Sequence, residues 1–291
     1  MTCVVLNWRG LGDTLRCLES LARVDYPALS VVVVDNGSGD GSADAIRRAF
    51  PNTAVIALPE NRGFAGGNTA GIRHAEQAGA PYVWLLNNDA VADPGALKPL
   101  VTAAEADPHL AVVGSVLFDL DNPSRLQEWG GGWFFPWTGR FQAHARRPGP
   151  GRLAYISGAS ALMRIAALSA VGGLDTAYFL YGEDVDLCHR LRRAGWGLEV
   201  AAASRVLHKQ WASPTPSLAR DYYLNAAAVR TQRKHYGVSS ARFAVGLLRR
   251  GARSLLTGRW RRARAVALGS LAGWRSVQTG MPYGPVAKER L

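Results

Sequence analysis

VVVVDNGSGDGS, residues 31–42, sets four β-branched residues in a row, follows them with an acid, and then runs into small turn-forming residues. That order reads as a buried strand ending at Asp35 and turning at once toward a helix. A strand with no polar residue before its last position is covered on both faces, as the strands of a parallel sheet are. Its terminal acid then stands at a carboxyl end, where open α/β sheets bind their ligands.

Working outward, the same pattern recurs across the first 90 residues. Strands fit Thr2–Asn7, Ser30–Asp35, Thr53–Leu58 and Tyr82–Asn87, and helices fit Gly12–Ala22, Gly41–Ala49, Gly66–Ala78 and Pro94–Ala106. Alternation of this kind predicts a Rossmann-like α/β unit whose strand ends bring Asn7, Asp35 and Asn87 to Asp89 into one crevice. The remaining order is expected in a strand Ser157–Arg164, a segment Ile165–Val171, a helix Glu183–Ala194, a strand Leu198–Ala203, and helices after Tyr222 interrupted at Gly237, Gly258 and Gly280. Between Ala111 and Ala154 the pattern loosens after a strand-like Val112–Phe118. Gly130 to Gly132 and the aromatics Trp129, Trp133, Phe134, Phe135 and Trp137 predict an irregular wall there, a hydrophobic plug in preference to a platform for sugar rings.

Composition bounds the alternatives. Hydrophobic residues at 48% and charged residues at 19% describe a globular chain, and 291 residues hold one large domain with an appendage. Cys3, Cys17 and Cys188 are an odd, scattered set with no secretory leader ahead of them, which predicts a reducing cytoplasmic location. No run reaches the roughly 18–20 apolar residues of a membrane span. The net charge of +12 is concentrated in Ala241–Leu291, with eleven Arg or Lys against the single acid Glu289. Such a tail suits nucleic acid, an anionic membrane surface, or plain solvent.

Four constellations carry chemistry. Asp35 can accept from a pyrimidine ring NH or a ribose hydroxyl, with Asn36 and the Gly-rich turn beside it; the alternative is an ordinary turn capped by Asp40 or Ser42. NRGFAGGNTAG, residues 61–71, lacks the spacing of a dinucleotide fingerprint and the Gly-Lys-Ser/Thr of a P-loop. Its Asn61, Gly63, Gly67 and Asn68 let backbone approach a nucleotide, or its glycines pack a helix on the sheet. VWLLNND, residues 83–89, ends in Asn87, Asn88 and Asp89, oxygen donors suited to Mg²⁺ or Mn²⁺. FDLDN, with Asp119 and Asp121, is read as a decoy in a surface turn. GEDVD, residues 182–186, opens a helix with Glu183, Asp184 and Asp186, more acids than a helix N-terminus requires. One of them can act as general base; pairing with Arg190, Arg192 or Arg193 explains Asp186 better than Asp184. His208 is either a third metal ligand or a structural histidine.

LNW at 6–8, VVDNGSGDGS at 33–42, NRGFAGGNTAG at 61–71, LLNNDA at 85–90, SGASALM at 157–163, GGLDTAYFLYGEDVDLCHRLRRAGW at 172–196 and LHKQW at 207–211 together resemble family 2 glycosyltransferases, nearest a rhamnosyltransferase-like branch. The resemblance spans about residues 1–236, the expected catalytic domain, and leaves 237–291 as a basic amphipathic helical tail. It implies the GT-A fold, a divalent cation, and inverting transfer from a nucleotide-diphosphate sugar, with dTDP-rhamnose preferred, to a hydroxyl of a cell-surface polysaccharide or lipid-linked glycan. In that frame Asp35 is similar to the nucleobase-binding acid, Asp89 to the last residue of a DxD motif whose first Asp is replaced by Asn87, His208 to a metal-binding histidine, and Asp184, tuned by Glu183, to the catalytic base. Asn7, Asn36, Asn61, Gly63, Gly67, Asn68 and Asn88 line the nucleotide sugar; Gly158, Trp133 and Tyr181 face the acceptor. QxxRW, the signature of processive synthases, is replaced by RRAGW at 192–196.

Three rival classes remain open: a nucleotidyltransferase, disfavoured by Asn7-Trp8-Arg9-Gly10 where a triphosphate loop belongs; a basic nucleic-acid or membrane module, for which no nucleic-acid motif is present; and an inactive sugar-binding relative, disfavoured because the base and metal positions are all occupied. A peripheral position at the inner face of the plasma membrane, through the tail with Leu247, Leu248, Leu255, Leu256 and Trp260, and a homodimer are both compatible with the sequence.

Overall fold

The computed structural model describes residues 1–149, 151–209, 217–239, 245 and 260–284. In chain order the elements are β1 (Thr2–Asn7), α1 (Leu11–Leu21), β2 (Ser30–Asp35), α2 (Ser42–Ala49), β3 (Ala54–Ala57), α3 (Gly63–Gln77), β4 (Tyr82–Asn87), β5 (Ala90–Ala92), α4 (Leu97–Ala106) and β6 (Leu110–Asp119). There follow β7 (Leu126–Glu128), β8 (Gly131–Phe135), β9 (Arg140–Ala143), β10 (Tyr155–Ile156), β11 (Ser160–Arg164), α5 (Ile165–Ala170), α6 (Glu183–Arg193), β12 (Gly197–His208), α7 (Ser217–Tyr236) and α8 (Trp260–Thr279).

A mixed, curled sheet runs β3-β2-β1-β4-β11-β6-β12-β5, with β7 paired to β6. The first four of these strands are parallel, with Asn7 in register with Asp35 and Leu6 with Asn87. β11 then enters antiparallel between β4 and β6. Side-chain alternation divides the core in two. Cys3, Val5, Val33, Trp84 and Leu86 face α1 and α4, while Val4, Val32, Val34, Val83 and Leu85 face α3 and α6. Both faces are dry, which is why these strands show no polar alternation in the sequence.

The region expected to be irregular is ordered. β6 is a ten-residue strand in the middle of the sheet, buried at every position except Phe118, and β10-β8-β9 form a separate antiparallel sheet. Gly131 and Gly132 are what permit it: a Cβ on Gly132 would stand 2.2 Å from the Gln142 carbonyl oxygen, and one on Gly131 closer still to that of Tyr155. A triple glycine that reads as loop is therefore a site of close backbone approach. Phe134 alone of the aromatic run is core; Trp133, Phe135 and Trp137 are exposed. The FDLDN segment is only partly the surface turn that was expected: Phe118 and Asp119 close β6 with Asp119 buried, and the turn begins at Leu120, where Asp119 accepts from the backbone of Asp121 and Asn122 and pairs with Arg125.

α7 ends at Tyr236 just before Gly237, and α8 ends at Thr279 just before Gly280. α8 packs along α7 so closely that a Cβ on Gly269 or Gly273 would lie 2.1 Å from the Tyr222 or Ala226 carbonyl oxygen. The described part of the basic tail is thus docked on α7, and Tyr283 beyond it enters an aromatic cluster with Tyr178, Phe179 and Tyr223. Leu247, Leu248, Leu255, Leu256, Gln210 and Trp211 lie outside the described residues.

Candidate active site

The carboxyl ends of β1, β2 and β4 gather the polar residues that the sequence placed there. Asp35 is nearly buried; its Oδ1 accepts from Asn7 Nδ2 at 2.6 Å and from Ser38 Oγ at 2.5 Å. Asn7 is 0% exposed, and its Oδ1 is taken by Gly10 N and Thr14 Oγ1. A side chain so enclosed and so fully bonded orients Asp35 and the Trp8–Gly10 loop; it does not face a ligand, which corrects the expectation that it lines the nucleotide. Asn88 has a related task, with its amide donated to Thr14 Oγ1 at 3.0 Å. Asp40 is a turn residue, accepting from Ser42 N and Ser42 Oγ.

The Gly-rich segment is tied to the same edge. Asn36 donates to Asn61 Oδ1 and the Gly63 carbonyl, each at 3.0 Å, and accepts from Arg62 N, so it holds the 61–63 loop on the end of β2. Asn61 Oδ1 also accepts from Gly63 N, which opens α3 three residues ahead of the expected Gly66. Gly63 has φ +72°, and a Cβ there would meet the Phe179 carbonyl oxygen at 2.1 Å. Gly67 packs α3 on Leu6, its Cβ position being 2.4 Å from Leu6 Cδ1, and Asn68 is buried with its amide on the Phe64 carbonyl. These glycines are therefore packing residues, the second of the two readings that the sequence allowed.

Asn88 and Asp89 form the turn between β4 and β5. β5 pairs antiparallel with β12 and sets His208, the last residue of that strand, opposite Ala90. That pairing is what carries His208 to Asp89: Nε2 lies 3.2 Å from Asp89 Oδ1 and 3.2 Å from Asn87 Nδ2. On the other side of the ring, Nδ1 is 3.0 Å from Gln127 Oε1, so an Nδ1–H donated to Gln127 leaves the Nε2 lone pair directed at Asn87 and Asp89. Asp89 Oδ1 is buried and accepts no hydrogen bond. In that tautomer Nε2 can accept from the Asn87 amide while Asp89 Oδ1 faces it without a donor, an arrangement that a cation between the two side chains would relieve. The set carboxylate oxygen, imidazole nitrogen and, after rotation, amide oxygen of Asn87 fits Mg²⁺ or Mn²⁺. Among the described residues no group of three or more His, Cys, Asp or Glu is assembled for a metal, so a third side-chain donor at this point would be the Asn87 amide oxygen.

Asp184 opens the other wall. Tyr181, at φ +67°, and Gly182, at φ +84°, make two consecutive left-handed residues immediately before α6. A bulky residue in that region is strained, and the kink turns Glu183 and Asp184 out of the preceding loop. Asp184 accepts from Val185 N at 2.7 Å and Gly158 N at 3.4 Å, and burial pushes its carboxyl up to about 6. Glu183 is buried with Oε2 unpartnered; burial, reinforced by the Asp184 charge, raises its pKa well above the usual range. Burial thus disfavours ionisation of both carboxyls, and the Asp184 charge disfavours that of Glu183 further. Asp186 faces away, bonded to Arg190 at 2.8 Å, Lys234 at 2.6 Å and His235 at 2.7 Å, which is the structural role expected of it. The Ala159 carbonyl accepts from Asn87 N, so one turn, Gly158–Ala159, links β4 to the Asp184 carboxyl.

Sequence reading missed two residues on β7. Gln127 holds His208, and Glu128 is pushed up to about 7 by burial and by Asp184, with His208 pulling it down. Glu128 thus belongs electrostatically to both walls, and only the antiparallel pairing of β7 with β6 brings it there. Trp133 stands on the outward face of β8, paired in register with Gln142, and Tyr181 forms the backbone kink, its carbonyl accepting from Tyr283.

A curled α/β sheet with its polar residues gathered at one carboxyl edge and a carboxylate-bearing helix across from it is the architecture of the GT-A class. The chain belongs to the glycosyltransferase family 2: the family profile described as glycosyltransferase like family 2 matches residues 1–250. It is 32% identical over 218 residues to the N-acetylglucosaminyl-diphospho-decaprenol L-rhamnosyltransferase of Mycobacterium tuberculosis, covering 66% of this chain and 70% of that one. It is 28% identical over 217 residues to a galactofuranosyltransferase of the same organism, covering 70% and 68%. Among solved structures, the mannosyltransferase of Pyrobaculum calidifontis, in complex with GDP-Man and Mn²⁺, superposes with a TM-score of 0.58 at 19% identity over 98% of this chain and 76% of that one. TarS of S. aureus, residues 1–349, gives 0.54 at 14% identity over 99% and 94%.

Proposed function

We propose that this glycosyltransferase is metal-dependent and inverting, and that it moves a sugar, rhamnose from dTDP-rhamnose by preference, onto a hydroxyl of a lipid-linked or cell-surface glycan precursor. The observation that carries the reading is the buried, unsatisfied Asp89 Oδ1 facing His208 Nε2 at the edge that also presents Asp35. A divalent ion held by Asp89, His208 and Asn87 would supply charge neutralisation for a diphosphate leaving group. Asp35, oriented by Asn7 and Ser38, accepts from the nucleobase or ribose, with the Asn36-anchored loop at Asn61–Gly63 beside it. Asp184 takes the proton of the acceptor hydroxyl as that oxygen attacks the anomeric carbon from the face opposite the nucleotide. A carboxylate lifted to about 6 is a stronger base than an ordinary aspartate and is still ionised at neutral pH. Burial and the Asp184 charge both oppose ionisation of Glu183 beside it.

The preference for rhamnose and a polyprenyl-diphosphate acceptor follows the mycobacterial relative, whose name states both. No helix among the described residues is long and apolar enough to cross a membrane. The catalytic unit is taken as residues 1–236 with 237–291 as its basic extension. Incubation with dTDP-, UDP- and GDP-sugars, a polyprenyl-diphosphate-linked acceptor and Mn²⁺ tests the reading, with the anomeric configuration of the product read by NMR. Transfer with inversion supports it; retention of configuration, or no turnover of any nucleotide sugar, overturns it.

A further inference from the structure

The β8–β9 hairpin carries large aromatic side chains on the side away from the protein. Trp133 is 36%, Phe135 38% and Trp137 79% exposed. Trp133 and Phe135 alternate with buried Phe134 along β8, so they share the outer face, and Phe135 is in register with Arg140 on β9. The hairpin is firmly held from behind: Phe134 packs on Phe141 at 5.0 Å and on Tyr236 at 5.8 Å, and Gln232 of α7 donates to the Pro136 carbonyl. Its outward aromatics are therefore displayed on a fixed support.

Charge says what the face meets. Between Glu128 and Asp175 the sequence contains no acid, while Arg140, Arg146, Arg147 and Arg152 fall within it; Arg164, also within it, is committed elsewhere, to Leu110, Ala104 and Tyr82. Arg146 and Arg147 are exposed in the loop that follows β9. Aromatic rings beside arginines, with no acid among them, match the interfacial layer of an anionic bilayer, where rings sit among headgroups and guanidinium groups pair with phosphate. A second copy of a chain with net charge +12 would set arginine against arginine.

We propose that the outer face of the β8–β9 hairpin docks this protein on an anionic lipid bilayer, with Trp133, Phe135 and Trp137 entering the headgroup layer and Arg140, Arg146 and Arg147 pairing with lipid phosphates. The choice of a membrane rests on the transferase reading, because the docked sheet leads directly to the base. β8 pairs with β10, and the turn after β10 contacts Asp184 through Gly158 N. Docking would bring the Asp184 wall to the surface at which a lipid-linked acceptor is presented. This places membrane attachment on the hairpin and not on the tail.

Co-sedimentation of the full chain with vesicles of phosphatidylglycerol and phosphatidylcholine in equal parts, compared with phosphatidylcholine alone, tests it. Wild type should sediment with the anionic vesicles only. Phe135→Ser/Trp137→Ser should bind at least about tenfold more weakly, and Arg146→Gln/Arg147→Gln roughly thirtyfold. Both variants should keep the wild-type melting temperature and rate of donor hydrolysis. Unchanged partitioning of both, with binding lost on Arg261→Gln/Arg262→Gln/Arg264→Gln, would assign the membrane to the tail and overturn the proposal. So would reversible self-association that Phe135→Ser/Trp137→Ser abolishes. Vesicle binding through the hairpin without hydrolysis of any nucleotide sugar would sink the transferase reading and leave the docking surface standing.

Discussion

Replacing Asp184 by Asn should abolish transfer and at the same time make the protein more stable. Burial lifts this carboxyl from 3.8 to about 6, so the folded protein holds the ionised form against a penalty of about 3 kcal/mol at neutral pH. The sign follows from proton counting. Between those values the folded state keeps a proton that the unfolded state has lost, so the stability contributed by the protonated form is full below the unfolded value and is lost as pH rises through about 6. Asn is neutral throughout and keeps an oxygen for Val185 N, which donates at 2.7 Å. Allowing about 2 kcal/mol for a neutral acceptor at Val185 N and for the Gly158 N–H, which the amide nitrogen in place of Oδ2 cannot accept, leaves a net gain of roughly 1 kcal/mol above neutrality. Denaturant titrations across acidic to neutral pH measure this directly. Wild type should lose stability toward neutral pH at up to about 1.4 kcal/mol per pH unit relative to Asp184→Asn, and the two curves should run parallel above about pH 7. A variant no more stable than wild type at neutral pH, or one that still transfers sugar, would refute the assignment of Asp184 as a buried base.

Gly63→Ala should cost roughly 2–4 kcal/mol, measured by thermal or chemical denaturation, because the new Cβ meets the Phe179 carbonyl oxygen in a left-handed backbone. Asp186→Asn removes the ionised partner of Arg190, Lys234 and His235 and should destabilise by about 3–5 kcal/mol. The hydrogen bond from His235 and the charges of Arg190 and Lys234 outweigh burial and hold the Asp186 carboxyl well below the usual range, so the stability it contributes is present above the ordinary aspartate value and fades as pH falls below it. Gln127→Ala frees the His208 ring from its Nδ1 partner and should weaken Mn²⁺ binding, followed calorimetrically in the presence of nucleotide diphosphate, by roughly 10–100-fold while leaving the melting temperature of the metal-free protein unchanged.

Strands β1, β2 and β4 were legible to the residue because each is an apolar run closed by a polar side chain, and burial on both faces leaves no other pattern. The same logic placed Asp35, Asp89 and Asp184 at or beside the ends of their elements, where the structure has them. Asn7 stands at such an end too, yet its neighbours Thr14 and Ser38 enclose it, and a sequence does not state which terminal side chain the next loop will cover. Gly131 and Gly132 misled because chain-breaking glycine and glycine that admits a neighbouring backbone are the same letter; only the Gln142 and Tyr155 strands beside them decide between the two. Gln127 and Glu128 were invisible for a related reason. Their importance comes from the pairing of β7 on β6 and from a histidine 81 residues away from Gln127, neither of which leaves a local pattern.

The central claim is that Asp89, with His208 and Asn87, holds a divalent ion against the diphosphate of a sugar donor. Thermal shift of the full chain with a panel of nucleotide sugars, in Mn²⁺ or EDTA, tests it most directly when wild type is compared with Asp89→Ala and Asp184→Asn. Stabilisation by one donor only in Mn²⁺, lost in Asp89→Ala and kept in Asp184→Asn, is the expected result. Donor binding that is indifferent to EDTA and to Asp89→Ala would contradict it.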